Sequence, residues 1–189
     1  DQLTRIGHIQ LPEIQPILGS EKTQRYRNKL EFTFSSTEYI TRDILDAAGD
    51  RDIEKTPALG FHAPGMFDKV VSINTCYLQD EPTNKIKNLL RDLSFKYELP
   101  YYDFIKQEGY LRNVIIRVAT TGAVMVNLIV HHERPELFEI LDTLASEVPE
   151  ISSLNYTLNK KKNDTIYDLE VINYKGLPYI EEYLEDFKF

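Results

Sequence analysis

From Ala123 to Val130 every residue but Asn127 is apolar. The run has the length of a strand and falls far short of the roughly 20 apolar residues a membrane helix needs. Both of its faces are apolar, so it is expected to be a central strand of a sheet. The rest of the chain must therefore supply neighbours for it. Thr121–Gly122 is a hairpin signal that joins it to a preceding strand over Tyr110 to Thr120. Pro135 then opens a helix at the first-turn position proline favours, with Leu137, Ile140, Leu141, Leu144 and Val148 as its apolar stripe.

The same reading extends outward. Pro82 opens an earlier helix whose stripe is Ile86, Leu89, Leu90, Leu93 and Tyr97. Ala58 to His62 and Lys69 to Asn74 read as short strands around a Pro64–Gly65 turn. Arg25 to Phe34 alternates strictly, with Arg25, Arg27, Lys29, Glu31 and Thr33 on one face and Tyr26, Asn28, Leu30, Phe32 and Phe34 on the other. Ser152 to Leu158, Thr165 to Asn173 and Tyr179 to Phe189 complete the strands. From Lys69 to Leu158 the order is strand, helix, strand, strand, helix, strand. It predicts an α+β fold: a mainly antiparallel sheet with a βαββαβ ferredoxin-like core and extra N- and C-terminal strands. Pro12, Pro16 and Gly19 mark residues 1–24 as the end of a helix plus a linker, leaving 25–189 as the domain. Residues 35–57 are polar and acidic, and read as a mobile excursion with a short helix over Thr41 to Ala48. Asp1 to Ile9 reads as final helical turns and Phe187–Lys188–Phe189 as alternating strand, so the expectation is a piece of a longer protein.

Charge and chemistry narrow the function. With 30 acidic against 22 basic side chains the net charge is −8. That favours solubility and leaves any nucleic-acid contact local. One cysteine, Cys76, forms no internal disulfide framework and suits a reducing, cytoplasmic setting. No basic stretch followed by an apolar core opens the sequence, so no signal peptide is expected, and no membrane-length run occurs. No phosphate-binding glycine pattern is present, since Gly60 and Gly65 lack its spacing. His131–His132–Glu133 sits at a strand end, where adjacent side chains diverge, and is poorly placed to share a metal. Cys76 with His62 lacks an orienting partner for nucleophilic catalysis, and reads more readily as a small buried apolar residue. Lys160, Lys161 and Lys162 form a turn, more readily solvated than phosphate-bound. The Arg25, Arg27 and Lys29 stripe would span about 13 Å. It suits either a polyanion backbone or a plain solvated face. No catalytic or cofactor-binding residue is identified in the chain, which is expected to be inactive on its own.

Several motifs in order then resemble one family. Tyr26–Arg27–Asn28–Lys29–Leu30–Glu31–Phe32 is similar to the Y-R-N-K-x-E-F stretch of the RNA (uracil-5-)-methyltransferases. Gly60–Phe61–His62, Val70–Val71–Ser72–Ile73, Cys76–Tyr77–Leu78–Gln79 and Arg112–Asn113–Val114 follow in register. The likeness covers essentially the whole chain and is greatest to the 23S ribosomal RNA branch. It implies the central α+β domain of an enzyme that also carries an OB-like RNA-binding domain and a Rossmann-like S-adenosylmethionine domain. The family's catalytic cysteine and its glutamate base would lie beyond Phe189. By the resemblance, Cys76 is the fourth ligand of a [4Fe–4S] cluster whose other three cysteines precede this domain. Arg27 and Lys29 would contact phosphates of ribosomal RNA, and Phe61 or His62 would approach a base or the cluster region. The partners implied are ribosomal RNA and the parent's flanking domains. The acidic segment 35–57 is longer than the family pattern suggests. The competing reading is a stand-alone ferredoxin-like module that binds a small molecule or a protein.

Overall fold

A computed structural model describes residues 2–49, 53–54 and 56–189. Among them is one seven-stranded sheet in the order β3-β2-β1-β4-β5-β6-β7. The strands are β1 (Lys29–Ser35), β2 (Ala58–His62), β3 (Val70–Ser72), β4 (Leu111–Val118), β5 (Val124–Val130), β6 (Ile151–Leu158) and β7 (Val171–Gly176). The helices are α1 (Arg42–Ala48), α2 (Thr83–Lys96) and α3 (Pro135–Glu147). A two-stranded hairpin, β8 (Tyr183–Leu184) with β9 (Phe187–Lys188), follows the sheet.

The doubly apolar strand takes the interior place its composition demands. β5 lies between β4, antiparallel to it, and β6, parallel to it through α3. Val126, Leu128 and Val130 face the helices and are fully buried. They pack with Ile86 and Leu90 of α2 and with Leu137, Ile140, Leu141 and Leu144 of α3. Apolar area of this kind stabilises a fold by roughly 25 cal/mol per Å² removed from water. Both helix stripes thus fall where their periodicity places them.

The ferredoxin-like order does not form. That arrangement would insert the Lys69–Asn74 strand beside β5. β3 instead folds back on β2 through the turn at residues 63–69 and ends at the sheet edge. β1 takes the free side of β4, because Leu30, Phe32 and Phe34 present an apolar face in register with Val114 and Ile116. β5, α3 and β6 form an adjacent crossover rather than a split one.

The opposite face of the sheet is polar yet largely buried. Asn113 donates to Thr33 Oγ1 at 3.2 Å, Asn127 to Thr157 Oγ1 at 3.1 Å, and Asn173 to Asn155 Oδ1 at 2.9 Å. Buried amides and hydroxyls are tolerated when they bond to one another. Segment 159–170 turns back toward this face. Residues Thr165 to Glu170, expected in a strand, form that connection, and β7 begins at Val171. The expected strand Tyr179 to Phe189 is instead the small hairpin, broken where Glu185 adopts a positive φ of 53°. Glu182 fastens this end by accepting from the Thr120 amide at 2.9 Å.

At the other end, Gln2–Ile6 is a π-helical turn that stops at Gly7, where a Cβ would lie 2.8 Å from the Leu3 carbonyl oxygen. In the acidic excursion α1 forms over nearly the expected span, and part of the rest of that segment lies outside the described residues.

Candidate functional site

A hollow beside the start of β1 and two on the polar side of the sheet share lining residues along one track. The first is lined by Arg27, by Lys29 and Glu31 from the polar face, and by Leu30, Phe61 and Leu78 from the core side. Lys29 and Glu31 also line the second, which continues along Ile115 and Arg117 to Asp164. Asp164 in turn lines the third, with His62, Phe67, Phe104, Lys162 and Asn163. Strand alternation supplies much of this. Lys29, Glu31 and Arg117 point away from the helices because Leu30, Phe32 and Ile116 point toward them.

The far wall depends on Arg112. It is fully buried, and its guanidinium lies 4.0 Å from the centroid of the Tyr102 ring. It donates to the carbonyl oxygens of Asn159 at 3.3 Å and Asn163 at 3.0 Å, to that of Lys161, and to Asp164 Oδ1 at 2.7 Å. One strand residue thereby fixes the whole lysine turn. Tyr102 meets Phe104 edge-on at 5.3 Å, and Phe104 meets His62 at 5.2 Å. Beside Lys29 and His62, burial dominates at Glu31 and pushes its carboxyl above the ordinary carboxylate range.

The track gathers Arg27, Lys29, Phe61, His62 and Lys162, and excludes other expected residues. The even stripe through Arg25 does not form. Arg25 has φ +54°, and the amides of Arg25 and Arg27 bond to the carbonyls of Tyr77 and Leu78 instead of continuing β1. Arg25 faces Asp80 at 3.5 Å. Phe61 is half-buried and stacks on Phe32 at 4.9 Å, so its ring closes the core as well as lining the hollow. Lys161 is held by Asp168 and by Thr165 at 3.2 Å, and Lys160 is exposed beside it. Phe67, Phe104, Arg117, Asn163 and Asp164 were not foreseen. The one signal pointing toward them was Arg112, a charged residue inside an otherwise buried strand.

Cys76 lies apart from the track, 6% exposed in the helix-side core. The Cys76 amide donates to Asn84 Oδ1 at 2.7 Å, and Asn84 Nδ2 donates to the Cys76 carbonyl at 3.1 Å. Lys87 donates to the carbonyls of Ile73 and Asn74, the second at 3.1 Å. Burial brings this lysine down to about 8. Gln79 ties the same loop to β4 through the Ile116 carbonyl at 3.2 Å. Among the described residues no group of three or more His, Cys, Asp or Glu side chains could hold a metal. Cys76 offers one thiolate where an iron–sulfur cluster needs four ligands, so the residues present do not fit a cluster by themselves. His131 and His132 do not diverge as strand neighbours would. They lie past the end of β5, with their Nδ1 atoms 3.2 Å apart.

No family model matches the chain. It is similar throughout its length to proteins named as uncharacterised RNA methyltransferases. Identity is 46% to one from Bacteroides thetaiotaomicron, 42% to one from Porphyromonas gingivalis and 34% to one from Chlorobaculum tepidum. Each match covers 100% of this chain but only 42%, 42% and 40% of the relative, so the chain spans about two fifths of those proteins. Among solved structures, it resembles a Pyrococcus abyssi tRNA (uracil-54, C5)-methyltransferase in complex with S-adenosyl-L-homocysteine, with a TM-score of 0.61 at 22% identity. That match covers 90% of this chain and 36% of the other, and establishes a shared fold. Among the described residues no helix is long and apolar enough to cross a membrane.

Proposed function

We propose that this chain is the RNA-holding central domain of a cytoplasmic, S-adenosylmethionine-dependent RNA (uracil-5-)-methyltransferase acting on 23S ribosomal RNA. The observation that carries this reading is the track from Arg27 through Lys29 and Arg117 to Lys162. Its lining sets these four cations, with Glu31 and the Arg112-paired Asp164 among them, beside the rings of Phe61, Phe67 and Phe104, on a protein that is otherwise strongly acidic. Single-stranded RNA is recognised by that combination of backbone charge and stacking surface. The named relatives support an RNA-methylating parent. Methyl transfer itself would belong to the parent's other domains. Cys76 is proposed to contribute a single cluster ligand there, with the remaining thiolates coming from outside this chain. Lys160 and Lys161 are proposed as outer contacts of the same RNA.

The test is the salt dependence of RNA binding by the full-length protein. Arg27→Ala with Lys29→Ala should weaken binding to a 23S ribosomal RNA fragment. It should also flatten the plot of log affinity against log salt by about 0.7 per lost single-strand phosphate contact. An unchanged slope would remove the phosphate assignment.

A further inference from the structure

Resting on the RNA-binding reading above, we propose that the groove at the end of β2 is a pocket for one unstacked nucleobase. Phe67 is its stacking face, Lys162 contacts the adjoining phosphate, and Asn163 and Asp164 face the base edge. The groove is open, with a volume of about 650 Å³.

The first argument is Phe67 itself. It lies in the β2–β3 turn, two residues after Gly65 (φ +73°), and is 70% exposed. A phenyl ring held in water by a tight turn gains nothing for the fold, whereas a planar base laid on it removes both surfaces from water. The second argument is rigidity. The Phe104 floor is braced edge-on by Tyr102 and His62, and the 159–164 wall is held by Arg112. Floor and wall are in place before any ligand arrives, so little ordering cost falls on binding.

Charge supplies the third argument. Asp164 is paired with Arg112 at 2.7 Å, so its charge is offset beside a polyanion. Lys161 is taken up by Asp168, while Lys162 makes no ion pair among the described residues. Asn163 Oδ1 accepts from Thr165, which leaves the amide –NH₂ as a donor next to the Asp164 acceptor. A donor beside an acceptor is what a base edge can match. Asp164 is also where the groove joins the cationic track, so a chain of phosphates along Lys29 and Arg117 leads into it.

The test is fluorescence polarisation with the full-length protein and single-stranded ribo-oligonucleotides of about 12 nucleotides, within the usual site sizes. An abasic ribose-phosphate chain of equal length is the control. Phe67→Ala should weaken binding of the base-bearing strand by about 10-fold, within the range of one stacked base. It should leave abasic binding and the salt slope as they were. Phe67→Tyr should bind like wild type, and Phe67→Leu like the alanine variant. If Phe67→Ala has no effect while Arg27→Ala with Lys29→Ala still weakens binding, the base pocket is wrong and the RNA reading stands. If neither variant matters, both fail. Equal losses on base-bearing and abasic strands, or a lower melting temperature with unchanged oligonucleotide binding, would make Phe67 a structural or interdomain contact and overturn the proposal.

Discussion

Arg112 and Asp164 form an ion pair at 2.7 Å in which the arginine side chain is wholly buried and the aspartate is 29% exposed. The pair joins the start of β4 to the turn after β6, two segments whose backbones would otherwise meet only through the sheet. Removing the charge from one side of such a pair leaves the other without its partner. Arg112→Ala also takes a donor from three carbonyl oxygens, of which that of Asn163 keeps the Asn159 side-chain amide, and empties the space over Tyr102. It should cost about 3–5 kcal/mol in urea unfolding, the range for breaking a buried pair. Asp164→Asn keeps an oxygen acceptor and the carbonyl bonds but leaves the buried Arg112 charge without its counter-ion, so it should cost less than Arg112→Ala while still being clearly destabilising. Equal losses in the two variants would mean that the pair, rather than the carbonyl bonds, carries the clamp.

Asn84 grips Cys76 by both backbone groups, at 2.7 Å and 3.1 Å. Lys87 and Arg91, one and two turns further along α2, reach Asn74 in the same loop at 3.1 Å and 2.6 Å. This helical stripe holds the cysteine loop down. Asn84→Ala should cost about 1–3 kcal/mol, since the Cys76 amide and carbonyl lose their partner together. It should also speed modification of Cys76 by a thiol reagent, because the native thiol is nearly inaccessible. A variant that is destabilised yet shows native thiol kinetics would place Cys76 under the control of some other contact.

The elements that could be read from the sequence are those whose pattern is set by burial on one side. α2, α3, β4 and β5 were legible because their apolar residues repeat at the helix or strand period and actually meet a core. The order of strands was not, since element sequence says nothing about which edge of β4 is free. β1 won that edge through Leu30, Phe32 and Phe34, a pairing far apart in the chain. Period-two reading also failed at Arg25. Its positive φ takes it out of the strand, and Tyr77 supplies the backbone bond that β4 would have given.

For the candidate site the same split holds. Lys29 was legible as a cation on the outward face of a strand. Phe67 and Phe104 were not, because each sits in an irregular segment where no periodicity assigns a face. They come together with Lys162 only through the β2–β3 turn, the 101–110 loop and the Arg112 clamp, and none of these leaves a spaced motif.

Glu31 is a carboxylate of the track that no ion pair among the described residues offsets, with Lys29, Arg117, His62 and the Arg112-paired Asp164 around it. Burial raises its pKa and outweighs the attraction of Lys29. The folded chain therefore holds this proton at a higher pH than the unfolded chain does. Its contribution to stability is full below the ordinary carboxylate pKa and is lost as pH rises through the raised one. Glu31→Gln mimics the protonated form at every pH. It should melt above wild type at pH 7, and the two should converge as pH falls below the ordinary carboxylate range. Removing a negative charge from the track should also tighten RNA binding most at low salt, where screening is weakest. Melting curves at both pH values and a salt titration of RNA affinity check the two effects. A stability gap that persists in acid would show that the glutamine acts through packing, because no ionised carboxylate would remain for it to replace.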